Sequence, residues 1–514
     1  MMLLSQAARA TGGKLAGADV RFDAVSSDSR KIVRGDLFVA LRGENFDGYE
    51  FVAKAAQGGA AASLVNADSY KAHPSIVGPQ SSALAVADTR LALGQLAAYW
   101  RKQFDIPLVA ITGSNGKTTV KEMLASILRE AAGSADAVLA TRGNLNNDIG
   151  MPLTLLQLNA THRYAVIEMG MNHPGEIEYL SQLAAPDVAL INNASGAHLE
   201  GLGSVEAVAR AKGEIFAGLK HHGTAVINSD DAHAPLWRGL AGAHPLLEFG
   251  LDLQADVCGN WQPRGYGLRL DVTAPQGLFT ADLQVPGEHN ARNALAATAA
   301  AIVLNIPLQT IAAGLEKFGG VAGRLQRKTA LHGASLIDDT YNANPASVRA
   351  AISVLAQAGG KRVLVLGDMG ELGGDAVAFH AGIGGEARRA GIEKFYALGA
   401  LSGNAVREFG SGAQHFESIE ELQAALEKEL DANTTVLVKG SRFMKMERVV
   451  QYLESGEIEA PAGRKSAAPS GVCKPGSHTA DNATLCGKVA ATPPDTNRPP
   501  PCGDIRPTGE KKCY

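Results

Sequence analysis

Cysteine is nearly absent from most of this sequence of 514 residues, since only Cys258 lies among the first 455 residues. This scarcity excludes a disulfide framework there and is typical of a protein from a reducing compartment. The other four cysteines crowd the end of the chain, and their spacing matches no CxxC zinc signature. They are Cys473, Cys486, Cys502 and Cys513.

A strong charge of either sign is also absent. The formal net charge is −4 and the isoelectric point is about 6.4. These values exclude the basic surface of a general nucleic-acid binder. If the substrate is anionic, a few local arginines and lysines must therefore hold it.

Long apolar runs are lacking as well. No stretch approaches the ~20 apolar residues that a membrane-spanning helix requires. The opening MMLLSQAARATGGKL has no basic segment of the kind that begins a signal peptide. We therefore expect a cytoplasmic protein with no membrane partner and no nucleic-acid partner.

What the sequence does contain is an alternation of short apolar runs and helical patterns. Hydrophobic residues make up 46% of the chain and charged residues 19%, which is ordinary for a globular protein. At ~150 residues per domain, the length allows about three domains. The alternation predicts an α/β fold with buried parallel sheets. A helix is predicted over residues 83–104, and the predicted strands are DLFVAL, AASLVN, IPLVAIT, YAVIEM, DVALINN, TAVIN, ASLIDD, KRVLVLGDM, KFYALG and TTVLVKG.

The last part of the chain, residues 456–514, has a different character. Its 59 residues hold nine of the 22 prolines and almost no periodic apolar pattern. Such a segment cannot bury enough apolar surface to offset the entropy lost on ordering it. We expect a disordered tail.

The stretch LVAITGSNGKTTVKEML, residues 108–124, predicts a phosphate-binding loop. A strand leads into a glycine-containing turn and then into an amphipathic helix, so backbone N–H groups and the helix dipole meet at the turn. Lys117 can reach terminal phosphates, and the hydroxyl of Thr118 can bind Mg²⁺. A glycine-rich turn with a surface lysine is the alternative, but the full pattern favours a nucleotide.

Other polar residues follow predicted strands or begin predicted helices. Glu168 ends the strand YAVIEM, where α/β sheets place ligand groups; beside a phosphate-binding loop we favour a metal ligand over a solvated glutamate. Spacing alone does not decide the roles of His198 and Lys212. The asparagines of TRGNLNNDIG suit sugar hydroxyls and phosphates, or they merely cap turns.

Near the start of the predicted third domain, further residues fit a nucleotide site. Asn290 and Asn293 lie one helical turn apart, and Arg324 follows a glycine from which its guanidinium can reach a phosphate. Asp339 and Tyr341 follow another strand, where an aromatic ring can hold a nucleobase. Surface exposure of the arginine and capping by the aspartate remain as alternatives.

Taken together, these motifs resemble the Mur ligase family. The loop matches its short form G-x-x-G-K-[ST], and the resemblance covers roughly residues 1–455. The matching stretches are GNLNNDIGMPLTLL, EMGMNHPGEI, AHLEGLGSVEAVARAKGEIF, DDTYNANPASV, VLGDMGELG and VLVKGSRFMKMERVV. They are most similar to the members that join D-alanyl-D-alanine to UDP-N-acetylmuramoyl-tripeptide with ATP and Mg²⁺, through an acyl phosphate.

The resemblance implies a three-domain α/β architecture. Residues 1–84 would bind the UDP end of the substrate. Residues 85–318 would form a central parallel-sheet domain that binds ATP, and residues 319–455 a Rossmann-like domain on the side of the amino substrate. A monomer is expected.

The resemblance also implies roles for individual residues. The residues with implied catalytic roles are Lys117, His198, Lys212 and Arg324. The residues implied to bind the nucleotide are Gly113, Ser114, Asn115, Gly116, Lys117, Thr118, Thr119, Asn290, Asn293, Arg324, Asp339 and Tyr341. The metal ligands would be Thr118, Glu168, His198 and Lys212, the last carbamylated. The residues implied to bind the substrate are Ser29, Arg30, Asp47, Asn144 and Asn147. Lys439, Ser441 and Arg442 belong to a motif of the third domain, and the resemblance assigns them no specific role.

Two other interpretations stay open at this stage. A related amide ligase, such as a folylpolyglutamate synthase or a sister Mur ligase, would share the ATP site; the first domain argues against the folate enzyme. A regulatory protein that hydrolyses ATP without ligation would also carry the loop. Whether the third residue of the acceptor peptide is diaminopimelate or lysine is not readable from the sequence.

Overall fold

The structure, a computed structural model, describes residues 1–43, 47–76, 81–196 and 199–456. Along these residues lie three large sheets, one of five strands followed by two of six strands each. This arrangement confirms the predicted α/β fold class. The tail lies outside the described residues beyond Gly456, so its disorder stays a prediction. Within the described ranges, no helix combines the length and the apolar character needed to cross a bilayer.

The first sheet has five strands, and all its neighbours run parallel except the pair at one edge. Its helices are Leu4–Thr11, Val52–Gln57 and Ala67–Ala72, and its strands in spatial order are Lys14–Ala16, Ser82–Val86, Ala62–Asn66, Asp36–Val39 and Ala24–Ser26. A separate two-stranded pair joins Met2–Leu3 to Arg21–Phe22.

The prediction of a helix over residues 83–104 is wrong for the first residues of that range. Residues Ser82–Val86 form a strand, and the helix spans only Thr89–Arg101. The Asp88 side chain accepts hydrogen bonds from the backbone N–H groups of Arg90 and Leu91, which fixes the helix start there. A short apolar run such as ALAV does not distinguish a buried strand from a buried helix by its periodicity.

The middle sheet has six strands, all parallel. In the central strand Leu108–Thr112, Leu108 and Ala110 pack into one core and Val109 and Ile111 into the other. Burial on both faces explains why these strands are almost continuously apolar. Its strands in spatial order are Leu246–Phe249, Thr224–Asn228, Val188–Ile191, Leu108–Thr112, Tyr164–Glu168 and Val138–Ala140.

Helices cover both faces of the middle sheet. After Thr89–Arg101 they are Lys117–Ala132, Gly150–Leu155, Glu176–Ala184, Leu199–Leu202, Val205–Gly213, Ala234–Ala241, Glu288–Val303 and Leu308–Glu316. An antiparallel three-stranded sheet, which the sequence did not predict, packs beside them; its strands are Cys258–Arg264, Gly267–Ala274 and Gly277–Leu283.

The third sheet has six strands and, apart from one antiparallel edge strand, is parallel. Its strands in spatial order are Gln326–Thr329, Ser335–Asp339, Thr434–Lys439, Lys361–Gly367, Lys394–Leu398 and Ala413–Phe416. Its helices are Pro345–Ala356, Ala376–Arg389, Gly403–Phe409, Ile419–Glu427 and Glu447–Ser455. Asp339 and Lys439 end neighbouring strands, so their side chains meet at one edge of the sheet.

Candidate active site

A cavity of about 980 Å³ lies where the carboxyl ends of the middle and third sheets meet. Many of the residues singled out from the sequence line it. They are Ser114, Asn115, Gly116, Lys117, Thr118, Thr119, Asn147, Glu168, Asn290, Asn293, Arg324, Asp339, Tyr341, Lys439, Ser441 and Arg442. The structure therefore brings together the loop, the strand-end glutamate and the third-domain residues.

Gly116 begins the helix that follows the loop, and both its backbone and its surroundings require glycine. Its φ of +78° lies in the left-handed region. A Cβ atom there would lie 2.3 Å from Oδ1 of Asn293 and 2.5 Å from Nδ2 of Asn192. The helix N-terminus thus stays open toward the cavity, which suits an anion.

Asparagine side chains hold the loop in place. The backbone carbonyl of Asn115 accepts hydrogen bonds from Nδ2 of Asn192 at 3.0 Å and of Asn193 at 3.1 Å. Asn192 also donates to Oδ1 of Asn293 at 3.0 Å. From the third domain, Nδ2 of Asn344 donates to Oδ1 of Asn115 at 2.8 Å. The loop is therefore fixed from two domains before a ligand binds.

Lys117 is folded back along the loop. Its Nζ donates to the backbone carbonyl of Gly113 at 2.7 Å. Burial lowers its pKa, and the nearby guanidinium of Arg324 lowers it further, whereas Glu168 and Glu371 act in the opposite direction. An ammonium in this position gains stabilisation when an anion such as a phosphate enters.

Thr118, Glu168 and Arg324 form a chain of hydrogen bonds across the cavity. The Thr118 hydroxyl donates to Oε2 of Glu168 at 2.8 Å and accepts from Nη2 of Arg324 at 3.1 Å. Oε1 of Glu168 accepts from Nδ2 of Asn146 at 2.8 Å. The Arg324 guanidinium lies 4.2 Å from the centre of the Tyr341 ring, and its buried Nε has no hydrogen-bond partner.

These oxygens fit the requirements of Mg²⁺. Glu168 is only 2% exposed and shares the site with the Thr118 hydroxyl. Magnesium usually takes one or two carboxylates and completes its shell with waters and substrate phosphates. In the described ranges there is no group of three or more His, Cys, Asp and Glu side chains that would form a closed metal cage. His198, another of the predicted ligands, lies outside the described residues.

Lys212 is buried and is not among the residues that line the cavity. It sits on the helix Val205–Gly213 and is 2% exposed. Burial lowers its pKa well below the usual lysine value, and the neighbouring ammonium of Lys117 adds to this. Burial thus favours the neutral amine, which is the form that reacts with carbon dioxide.

On the third-domain side, Lys439 and Asp339 form a buried ion pair. Nζ of Lys439 donates to Oδ2 of Asp339 at 2.6 Å and to the carbonyl of Asn342 at 2.9 Å. Burial raises the pKa of Asp339, with Lys439 acting against it. Oδ1 of Asp339 accepts from the N–H of Leu325, a residue with φ of +49° directly after Arg324. The ion pair thereby fixes the turn that presents the Arg324 guanidinium.

The remaining predicted residues do not line this cavity. Gly113 adjoins it through its carbonyl, and Asn144 is exposed to solvent. Ser29, Arg30 and Asp47 lie in the first domain, where the Arg30 guanidinium pairs with Asp28 at 2.8 Å and Asp47 accepts from the N–H of Tyr49.

Several residues of the lining were not singled out from the sequence. Asn146, rather than Asn144, contacts Glu168, and His289 and Glu371 also line the cavity. Asn192 and Asn193 follow the strand Val188–Ile191 directly, so the strand-end argument that found Glu168 applies to them as well.

Three family descriptions match consecutive parts of the chain. "Mur ligase family, catalytic domain" matches residues 21–101, "Mur ligase middle domain" matches residues 111–301, and "Mur ligase, glutamate ligase domain" matches residues 323–442.

Individual relatives match over nearly their whole length. The UDP-N-acetylmuramoyl-tripeptide–D-alanyl-D-alanine ligase of Escherichia coli K12 is 42% identical over 455 residues, which are 88% of this chain and 98% of the relative. The crystal structure of MurF from Acinetobacter baumannii has a TM-score of 0.81 at 38% identity, covering 87% of this chain and 98% of its own. MurF ligase from Thermotoga maritima in complex with ADP has a TM-score of 0.73 at 26% identity, with coverages of 84% and 96%.

Proposed function

Because this chain belongs to the Mur ligase family, we propose that its cavity joins D-alanyl-D-alanine to UDP-N-acetylmuramoyl-tripeptide at the expense of ATP. The products are UDP-N-acetylmuramoyl-pentapeptide, ADP and phosphate, and the reaction belongs to peptidoglycan precursor synthesis. The observation that carries the proposal is the convergence of Lys117, the Thr118–Glu168 pair and Arg324 on one cavity between two domains.

The chemistry explains why a nucleotide site must lie beside two substrate sites. A carboxylate and an ammonium form only a salt in water, so the carbonyl has to be activated. The tripeptide carboxylate attacks the γ-phosphorus of ATP, which releases ADP and forms an acyl phosphate. The amine of the dipeptide then attacks the carbonyl carbon, the C–O bond to phosphate breaks, and the amine loses its proton.

The side chains in the cavity supply positioning and positive charge. Phosphoryl transfer depends mainly on alignment and on neutralisation of charge. Lys117 leaves the Gly113 carbonyl to bind the terminal phosphates, and Arg324, which reaches Thr118 from the third domain, neutralises charge on the transferred group. No protein nucleophile is required, and closure of the third domain excludes water from the acyl phosphate.

Magnesium, when bound, neutralises phosphate charge and aligns the transferred group. We assign it to the hydroxyl of Thr118 and the carboxylate of Glu168, with His198 and a carbamylated Lys212. The burial and lowered pKa of Lys212 support the carbamate, since carbon dioxide adds to a neutral amine.

The carbamate has a direct test. Lys212→Ala is expected to lose activity that acetate or propionate partly restores, because either anion can occupy the space that the carbamate leaves. Carbon-13 NMR with labelled carbon dioxide should give a carbamate signal in the native protein and none in the variant. Absence of both rescue and signal would remove the carbamate from the proposal.

The rest of the cavity divides between the nucleotide and the muramoyl peptide. We assign Asn290, Asn293, Asp339 and Tyr341 to the nucleotide side, near the loop. Asn147 also lines the cavity, next to Asn146, which contacts Glu168, and we assign it to the peptide together with Asn144. Ser29, Arg30 and Asp47 are assigned to the uridine diphosphate.

The experiment that tests the function is an assay of phosphate release with Mg-ATP and the UDP-tripeptide, with and without D-alanyl-D-alanine. We expect release to require the dipeptide and the product to have the mass of the UDP-pentapeptide. Release without the dipeptide, or with a single amino acid in its place, would refute this assignment and favour a sister ligase or an ATP hydrolase.

We further propose that the enzyme acts as a monomer in the cytoplasm. ATP and UDP-linked precursors supply the reaction there. Light scattering at the working concentration tests the monomer, and a mass twice that of the chain would overturn it.

A further inference from the structure

The loop of residues 368–372 in the third domain is anchored on both sides of Glu371. Before it, the N–H of Met369 donates to Nε2 of the buried His380 at 2.9 Å, and the N–H of Gly370 donates to Oγ of Ser441 at 2.8 Å. After it, the Leu372 side chain is only 4% exposed. The position of Glu371 is therefore set by its neighbours.

Ser441 connects this loop to two other parts of the cavity wall. Its hydroxyl donates to the carbonyl of Ala343 at 3.1 Å, and its N–H donates to the carbonyl of Asp368 at 3.0 Å. The three segments thus form one support on the third-domain side. A flexible loop would not hold a side chain at a fixed place in the cavity, but this one can.

Glu371 itself has an uncommon backbone conformation and lines the cavity. Its φ is +61°, in the left-handed region that non-glycine residues seldom adopt. Such residues persist only where the surrounding structure fixes them, and they concentrate at functional sites. The side chain of Glu371 lies among the lining residues, and its negative charge acts to raise the pKa of Lys117.

The charge of the cavity makes a carboxylate at this place significant. Cations dominate the lining: Lys117, Arg292, Arg324, Lys439, Arg442 and Lys445. The lining also holds four carboxylates, those of Glu168, Glu176, Asp339 and Glu371. Asp339 is paired with Lys439, Glu168 is held by Thr118 and Asn146, and Glu176 accepts from the N–H of Asn172. A positively charged amine entering from the third domain would be repelled unless an anion receives it.

We propose that Glu371 binds the ammonium group of the incoming amino substrate and holds it beside the phosphate end of the cavity, near Lys117. This assignment rests on the proposed ligase function and adds to it a residue that recognises the amine. Glu371 contacts substrate but transfers no group.

Glu371→Gln tests the proposal because it removes the charge and keeps the shape. We expect the KM for D-alanyl-D-alanine to rise about tenfold or more, as for loss of a charge-assisted hydrogen bond. The KM values for ATP and the UDP-tripeptide should stay within about twofold of those of the native enzyme. Glu371→Asp keeps the charge and should recover part of the affinity for the dipeptide.

Asp375→Asn provides the matched control. Asp375 lies four positions farther along, is exposed, and its side chain makes no capping hydrogen bond. The substitution removes one negative charge from the same region, at a residue that does not line the cavity. All three KM values should stay unchanged. An equal rise in dipeptide KM in this control would mean that the overall field, not Glu371, attracts the substrate, and would overturn the proposal.

A second measurement separates this proposal from the proposed function. The acyl phosphate formed from ATP and the UDP-tripeptide alone can be trapped by borohydride reduction. We expect the native enzyme and Glu371→Gln to form it equally. If the variant forms none, Glu371 acts before the amine arrives and the proposal is wrong. If phosphate release by the native enzyme does not require the dipeptide, the ligase function itself fails.

Discussion

Lys117 illustrates how a single side chain can be costly for folding and necessary for the reaction. Its ammonium is held by backbone carbonyls of the loop, and burial disfavours its charge. Replacement by methionine removes that charge while keeping an unbranched side chain. We therefore expect Lys117→Met to fold at least as stably as the native chain.

Activity should respond in the opposite direction. Without the ammonium, the terminal phosphates of ATP lose a principal contact, and we expect ADP formation to fall by roughly a thousandfold or more. Urea unfolding and a coupled ADP assay on the same preparation compare the two effects. Near-native turnover in this variant would remove Lys117 from the phosphate site.

The lowered pKa of His289 should make the free energy of unfolding depend on pH. This residue lies between the large cavity and a smaller one of about 370 Å³, and burial, aided by Lys439, lowers its pKa from 6.5 to about 4. The unfolded chain therefore binds a proton between these values that the folded chain does not, so the fold loses stability as the pH falls from 6.5 toward 4.

The contribution of His289 can be isolated with His289→Gln, which does not titrate. The loss of unfolding free energy between pH 7 and pH 5 should be smaller in the variant, by on the order of 1 kcal/mol. Urea unfolding at both pH values measures it. Identical pH dependence in the two proteins would mean that His289 is not the group that takes up the proton.

At the scale of elements, the helix Lys117–Ala132 has a left-handed glycine at each end, Gly116 with φ of +78° and Gly133 with φ of +68°. Alanine at either position carries the backbone penalty of about 1–2 kcal/mol. Only at Gly116 would the new Cβ also collide with Asn192 and Asn293, since nothing lies within 4 Å of the Cβ position at Gly133.

The pair of variants therefore separates conformation from contact. Gly133→Ala should lose about 1–2 kcal/mol of stability and keep its affinity for ATP. Gly116→Ala should lose more stability and bind ATP weakly, because the asparagines that hold the loop must move. Fluorescent nucleotide binding together with urea unfolding measures both. Equal effects in the two variants would show that the asparagine contacts do not matter.

The elements themselves were largely predictable from the sequence, and the failure to predict the antiparallel sheet has a physical cause. Strands buried on both faces, such as Leu108–Thr112, appear as uninterrupted apolar runs. The strand Gly267–Ala274 is buried only at alternate positions and is flanked by glycines, so no such run marks the antiparallel sheet. The loop motif was readable because its residues are contiguous.

Tertiary contacts decided the rest of the site. Asn144 and Asn146 have the same chemistry two positions apart, but only Asn146 contacts Glu168. Nothing in the local sequence distinguishes them, because the direction of each side chain depends on the path of the loop over the sheet. Glu371 is a similar case, since its place in the cavity depends on Ser441, far along the chain.

At the scale of the whole molecule, two side-chain hydrogen bonds among the described residues link the third domain to the loop of the middle domain. Arg324 donates to the hydroxyl of Thr118, and Asn344 donates to the side chain of Asn115. These contacts favour the arrangement in which both walls of the cavity face each other. A nucleotide that binds this arrangement better than an open one will stabilise it further.

Asn344→Asp tests whether the second contact contributes to that arrangement. Oδ1 of Asn344 caps the helix Pro345–Ala356 by accepting from the N–H of Ser347, and aspartate keeps this acceptor. Nδ2, the donor to Asn115, is lost. Since one neutral hydrogen bond contributes about 1 kcal/mol, kcat/KM for ATP should fall roughly fivefold while the third domain stays as stable as before.

The variant Asn344→Ala completes the comparison, because it loses the cap as well as the contact. It should show the same fall in kcat/KM and, in addition, a loss of about 1 kcal/mol of stability. Steady-state kinetics at varied ATP and urea unfolding give the two quantities. If aspartate leaves kcat/KM unchanged, the contact with Asn115 does not favour the closed arrangement, and the hydrogen bond from Arg324 to Thr118 becomes the one to test next.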